Sequence, residues 1–269
     1  MNNPHPPHSY ANGQNALAFN LVELLIVIAV IGILAGLLLP VLSKAGSNAQ
    51  RTTCLNNLEQ INHAILLYAA DNGDLLPTIA NTTISAQGGG DGTNLFQFFY
   101  KALVMNYLGL KEPPSPQDKV FACPADTFFY DDNLPATNTP ASLHAQLDSC
   151  YSSYGYNGFG QDADILSGLP DQLASLPLGL YGKKLAAITD PAKTVLVAEA
   201  SAFNPYTWHD PGRPAPGNFG FNNARSVVSF TDGHATYMPI YYYTNPSYLY
   251  LPTCFYNPPA GYDYKWSAE

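Results

Sequence analysis

The first sustained pattern along the chain is an apolar run. From Phe19 to Leu42, "FNLVELLIVIAVIGILAGLLLPVL", almost every residue is apolar, and after Glu23 no charge occurs until Lys44. As a helix rising about 1.5 Å per residue, Leu21 to Leu42 would extend roughly 33 Å, enough to cross the hydrocarbon core of a bilayer. Pro40 falls near the far end, where a local kink is tolerated. The stretch before the run, residues 1–18 ("MNNPHPPHSYANGQNALA"), is polar and without apolar period, and it reads as a leader with no regular structure.

Beyond the run the pattern becomes amphipathic but stays helical. In "NAQRTTCLNNLEQINHAILLYAADNG", Cys54, Leu58, Ile61, Ile65 and Tyr68 recur at alternating spacings of four and three, and Leu55, Leu66 and Ala69 widen the stripe. Asn56, Asn57, Glu59, Gln60 and Asn62 fall mostly on the other side. This is a helix with one packed face, and Gly73 after Asp71-Asn72 is its stop signal. The expectation is one helix over 19–72: a membrane-spanning part at about 21–42, then a half packed on a globular head of residues 73–269.

Past Gly73 the spacing shortens. "AQGGGDGTN" (86–94) reads as a loop, "NLFQFFYKALVMNYLGL" (94–110) as a shorter helix ending near Gly109, and "KEPPSPQDKVFACPAD" as connection around a short strand. "YSSYGYNGFG", "KTVLVAEA", "RSVVSFTDGHATYM" and "IYYYT" read as strands, with Asp232-Gly233 as a hairpin turn. The predicted class is α+β.

Composition narrows the function. Charged residues make up 12% of the chain and the formal net charge is −9, which argues against sequence-independent binding of nucleic acid, where many Lys and Arg must displace phosphate counterions. The four cysteines, Cys54, Cys123, Cys150 and Cys254, show no Cys-x-x-Cys spacing. Cys123 and Cys150 flank a loop of 26 residues, and closing it would stabilise an exported head by about 3 kcal/mol. Cys54 fits equally a small buried hydrophobe or a partner of Cys254.

Candidate chemistry is sparse. The sequence contains no Gly-x-Ser-x-Gly, no His-Glu-x-x-His and no glycine-rich phosphate loop. Glu199, His209, Asp210, Asp232 and His234 share one third of the chain and could converge on a metal or catalytic site, although turn chemistry alone explains Asp232-Gly233. Asp162, Asp164 and Asp210 offer hard oxygen ligands for calcium, without the spacing of a known calcium loop. Otherwise no cofactor is expected. In the Tyr-rich tail, packing is favoured over a sticky surface.

One residue sits badly in the apolar run. A lone carboxylate, Glu23, lies near its start with no Lys, Arg or His inside the run, and a charge at the centre of a bilayer costs on the order of 2.5–3.5 kcal/mol. The segment "AFNLVELLIVIAVIGILAGLLLPVL" resembles the start of type IV prepilins and type II secretion pseudopilins: a short leader, then Phe, an acid four places later, and a long apolar helix. The resemblance runs from Ala18 to about Pro77. More weakly, "VFACPAD", "YGYN", "ITDPAKTVLVAEA" and "RSVVSFTDGHATYM" resemble a subgroup of planctomycete and verrucomicrobial bacteria named for a His, nine residues, then Asp-Gly; here that His position holds Asn222. Ala18 stands where the family usually has Gly, and the leader carries His5 and His8 but no Lys or Arg. Lys44 and Arg51 beyond the run would, by the positive-inside rule alone, orient it the other way.

The resemblance implies that a prepilin peptidase cuts between Ala18 and Phe19 and N-methylates Phe19. The new amine then pairs with Glu23 of a neighbouring subunit and sets the register of a filament. Gly32 and Gly36 form a Gly-x-x-x-Gly step that lets helices approach, with Pro40 one turn further on. It also implies an inner-membrane protein with its leader in the cytoplasm and its head in the periplasm. Its partners are then other pilin-like subunits and the secretion or pilus machinery, and no enzyme activity is expected. The alternatives are a secretory signal cut before Gly46, a binding or adhesion module on an uncleaved anchor, and a tethered enzyme using the His209/Asp232 region.

Overall fold

The computed structural model describes residues 20–78, 98–127, 142–147, 149–158, 179–203, 206–210, 221–242 and 256–269. Ala18, Phe19, Asp162, Asp164, Cys254 and the 86–94 segment lie outside the described residues.

Helix α1 runs without a break from Leu21 to Asp71, as its two periodicities require, and it carries Pro40 in its interior. The proline removes one amide donor and so leaves the carbonyl four residues back, that of Gly36, without its helical partner. The described residues form two compact units, divided between Ala45 and Gly46. In the first, the helix exposes its large apolar side chains from Leu21 to Leu42. It is long and apolar enough to cross a membrane.

In the second unit, Gly46–Glu269, the rest of α1 is a core element. Cys54, Leu58, Ile61, Ile65, Tyr68 and Ala69 are buried in the sequence of fours and threes that the pattern predicts. Two residues assigned to the polar face are buried as well. The Asn57 amide donates to the carbonyl of Ala122 (3.1 Å) and to the Tyr154 hydroxyl (3.2 Å), and the Asn62 amide donates to the carbonyl of Phe230 (2.7 Å). Asparagine tolerates burial at these places because a backbone or phenol acceptor meets each amide. Asn56, Glu59 and Gln60 are exposed, as expected.

The second predicted helix is shorter among the described residues: α2 spans Tyr100–Val104, followed by a 3₁₀ turn at Met105–Leu108. It stops at Gly109, whose φ of 69° is the left-handed cap that glycine adopts without strain. The short strand expected around Phe121 is instead a 3₁₀ turn, Lys119–Phe121. Strands β1 (Tyr154–Tyr156), β2 (Val195–Glu199), β3 (Ala224–Phe230) and β4 (Ala235–Ile240) form an antiparallel sheet in the order β1-β2-β3-β4. The β3–β4 hairpin turns at Asp232-Gly233, where Gly233 has φ of 105°. The class is therefore α+β.

The sheet is covered on both faces, so β2 and β3 read as nearly continuous apolar runs rather than alternating ones. Val227 and Val197 pack with the α1 stripe and with Tyr100, Phe121 and Tyr156. On the opposite side, Val195, Val228 and Phe230 pack with Phe203, Tyr264 and Trp266. The described part of the Tyr-rich tail thus serves packing.

Candidate functional site

The sulfur chemistry differs from the loop-length expectation. Cys123 is bridged to Cys54, 69 residues away, with a Cα–Cα distance of 5.3 Å, and not to Cys150. Proximity along the chain was the wrong guide. Cys54 faces inward on the packed stripe of α1, and Cys123 follows the Lys119–Phe121 turn that lies against that stripe, so helix packing chooses the pair. Cys150 is buried on a turn of its own, with φ of 50°.

A carboxylate and an imidazole meet this bridge. Alternation along β2 sends Glu199 to the same face as Val197, toward α1. Its Oε1 lies 3.4 Å from the Cys123 sulfur and 2.7 Å from Nε2 of His209. That same Nε2 is 3.8 Å from the Cys123 sulfur. The second carboxylate oxygen accepts the Val227 amide of β3 at 2.8 Å, which fixes the side chain's rotation. His209 is held from outside by the Ser47 hydroxyl of α1, which donates to its carbonyl at 2.9 Å, and by the Tyr237 ring, edge-on at 5.8 Å. The four side chains are buried, and one donor atom from each lies within 4.8 Å of every other. Nδ1 of His209 has no hydrogen-bond partner among the described residues.

Other buried polar groups of the head are satisfied, one chain of them starting at the Cys123 backbone. The Cys123 amide donates to Ser153 Oγ (2.9 Å), which in turn donates to Asp126 (2.8 Å). Asp126 also accepts the amides of Leu143 and His144, yet burial outweighs these bonds and pushes its carboxyl above the usual range. Lys101 is fully buried, with its ammonium 3.0 Å from Asp118 and donating to the carbonyls of Ser115 and Tyr151. Desolvation nevertheless depresses its pKa.

Of the acids and histidines grouped by sequence, only some converge. Glu199 and His209 do. Asp232 and His234 pair with each other at 2.6 Å on the partly exposed hairpin turn, where the imidazole stacks on Phe230. Asp210 accepts a 2.6 Å bond from the Tyr237 hydroxyl. Asn222, at the position of the subgroup's histidine, organises backbone: its Oδ1 accepts the amides of Asn223 and Tyr242. Sequence reading placed the two cysteines and the Glu/His pair in separate arguments. The stripe of α1 that carries Cys54 was the one signal able to join them.

Comparison with protein-family models, curated proteins and solved structures finds no match to this chain. What it does has to be read from its own residues.

The start of α1 gives Glu23 a partner that the sequence reading missed. Its Oε2 accepts the backbone amide of Asn20 at 3.0 Å, while Asn20 Oδ1 accepts the amide of Val22 at 3.2 Å. This is a reciprocal cap of the kind formed by a polar residue and an acid three places on, and "NLVE" was its signal. An acid here also favours the positive end of the helix dipole. Gly32 and Gly36 face open space: a Cβ on either would meet nothing within 4 Å.

Proposed function

We propose that the chain is a pilin-like assembly subunit, held in the inner membrane by the first half of α1 with its head in the periplasm. The observation that carries this reading is the division of one continuous helix. Its first half exposes a full circumference of large apolar side chains, and its second half is a core element of the head. The first half needs an apolar surround, which a bilayer supplies before assembly and neighbouring helices supply afterwards. The "FNLVE" start and the Gly32/Gly36 step support a filament in which helices stack closely. A type II secretion pseudopilus is favoured over a surface pilus because the head segments resemble those of pseudopilin-like proteins. On this reading a prepilin peptidase removes residues 1–18, and the chain's work is assembly rather than catalysis.

A second reading has a specific observation behind it. The bond from Asn20 to Glu23 gives the acid a role within its own chain, so a plain anchored binding module needs no intersubunit pairing. Two measurements separate them. Mass spectrometry of the mature protein should find N-methyl-Phe19; an intact Met1 would favour the anchor. Glu23→Val should leave insertion unchanged and abolish incorporation into filaments. Normal incorporation would leave only the loss of a cap, about 1 kcal/mol, and would remove the pairing argument.

A further inference from the structure

A disulfide needs two cysteines and nothing more. Here it is flanked by a buried carboxylate aimed at one sulfur from 3.4 Å and by an imidazole nitrogen 3.8 Å from the same atom. An oxidised sulfur has no proton to offer Glu199, so the bridge gives that approach no hydrogen bond. Removing a carboxylate and an imidazole from water costs several kcal/mol unless they are well matched. Glu199 and His209 match each other at 2.7 Å, yet Nδ1 of His209 has no partner among the described residues. Oxidised, the bridge accounts for Cys54 and Cys123 but not for the arrangement around them.

A divalent metal accounts for all four. Zinc takes thiolate sulfur at about 2.3 Å, imidazole nitrogen at about 2.0–2.1 Å and carboxylate oxygen at about 2.0–2.2 Å, in a tetrahedron. Such a tetrahedron has edges of roughly 3.3–3.8 Å, and the donor atoms, all within 4.8 Å of one another, reach it by small shifts once the S–S bond is open. They come from four separate places: the α1 stripe, the second residue after a 3₁₀ turn, the end of β2 and the 206–210 segment. Two soft sulfurs with an imidazole suit zinc and exclude calcium or magnesium, which prefer all-oxygen sites. The Val227 amide on Glu199 Oε2 supplies the outer support that ligands need and leaves Oε1 turned toward the sulfurs.

We infer that Cys54, Cys123, Glu199 and His209 form a closed zinc site when the two cysteines are reduced, and that the disulfide is its metal-free, oxidised form. The exchange balances. Two equivalents of a small thiol break the S–S bond, one proton and one electron reach each sulfur, and the thiol leaves as its disulfide. Zinc then displaces one proton from each thiol, and the proton held between His209 Nε2 and Glu199 Oε1 passes to Nδ1 of the same ring. Two Zn–S bonds form through Cys54 and Cys123, one Zn–N bond through His209 Nε2 and one Zn–O bond through Glu199 Oε1. A small-molecule disulfide, taking up the two electrons together with two protons, restores the bridge and releases the ion. Because all four donors are protein groups, the site is structural: it holds α1 to the head as the bridge does, without an open position for substrate.

The test uses the full chain in detergent, both as it is and with Cys150→Ala and Cys254→Ala, reduced with excess glutathione and then freed of it. The expected result is uptake of one zinc per chain and protection of two thiols from alkylation. With cobalt(II) as the probe, the spectrum should show tetrahedral d–d bands and thiolate charge transfer, and oxidised glutathione should discharge the metal. His209→Ala and Glu199→Gln should each weaken zinc binding by more than the roughly 10–100-fold that loss of an outer support causes. Near-UV circular dichroism checks the fold of each variant; the nearly isosteric Glu199→Gln decides the matter if His209→Ala does not fold. A reduced chain that takes up no zinc, an octahedral cobalt spectrum, or undiminished affinity in the folded Glu199→Gln variant would overturn the site.

Discussion

The two halves of α1 share one backbone and differ in what their side chains meet. Between Leu21 and Leu42 the helix is, Glu23 apart, apolar on every side, and its large apolar side chains are exposed. From Cys54 to Ala69 it carries a narrower stripe, and the stripe is sealed against aromatic and aliphatic groups of the head. Mean hydropathy therefore misleads about folding: the more apolar half adds nothing to the core, and the half with Asn, Glu and Gln supplies one wall of it. What separates them is whether apolar positions cover all directions or one. A helix apolar all round that no described residue covers needs an apolar surround, whereas a one-sided helix can complete a domain.

If the second half is a structural member of the head, the strongest way to loosen it is to remove its covalent tie. The Cys54–Cys123 bridge closes a loop of 69 residues, for which the chain-entropy argument gives about 4 kcal/mol. That exceeds the value expected for the shorter Cys123–Cys150 loop, because the observed partner is more distant in sequence. Cys54→Ala/Cys123→Ala should lower the stability of the oxidised head by about that amount, measured by urea unfolding of the full chain in detergent. A loss well under 1 kcal/mol would mean that packing alone fixes α1 on the sheet.

Truncation of one side chain in each half draws the contrast more finely. Ile61 is fully buried, and Ile61→Ala should cost about 3 kcal/mol through lost burial and a residual cavity. Leu34 is 54% exposed, and Leu34→Ala should leave head unfolding unchanged in the same detergent. Equal effects at the two positions would show that the halves do not differ in the way argued.

How much of this could be read from sequence depends on whether the signal was periodic. The 51-residue extent of α1, its packed stripe, β2, β3 and the Asp232-Gly233 hairpin were all legible, because each rests on a repeat of spacing or a turn residue. Asn57 and Asn62 were misplaced because a polar residue is assigned outward by type, while their burial depends on carbonyls and a phenol contributed from 65 to 168 positions away. The expected Cys123–Cys150 pairing failed for the same reason, the actual partner of Cys123 being Cys54. Glu199 and His209 could be grouped by nearness in the chain, but the sulfurs they face come from elsewhere, and only packing brings those together.

Alkali offers a third test, because it acts on the head and spares the apolar half, which carries no tyrosine between Leu21 and Leu42. Burial raises the pKa of Tyr100, Tyr156 and Tyr264 above the ordinary 10. A raised folded-state pKa means that the unfolded chain releases its proton first. The stability these phenols contribute is complete below pH 10 and declines above it, by roughly 1 kcal/mol per pH unit for each. Lys101 has the opposite sign: its pKa is depressed in the fold, so its contribution improves as pH rises toward its ordinary 10.5. One lysine offsets only part of three tyrosines, and the head should melt at lower temperature from pH 10 upward. Tyrosinate absorbance should rise with that transition, while helical dichroism from the micelle-bound half persists. Ionisation of all the tyrosines at pH 10 without unfolding would contradict the burial.

The smallest effect on the single chain carries the most information about assembly. A Cβ at position 36 meets nothing within 4 Å, and alanine favours a helix over glycine by about 1 kcal/mol. Gly36→Ala should therefore leave the head's melting temperature unchanged and slightly favour the helix. Nothing among the described residues accounts for two glycines four residues apart on an exposed apolar helix, so a selective disadvantage of a larger residue points to a contact between chains. Crosslinking yield in membranes, compared for Gly36→Ala and Gly32→Ile/Gly36→Ile, makes that separation. A graded loss of oligomer with unchanged unfolding of the monomer places a helix–helix approach at this step. Equal oligomer in all three proteins would leave the first half of α1 a membrane anchor whose glycines have no packing role.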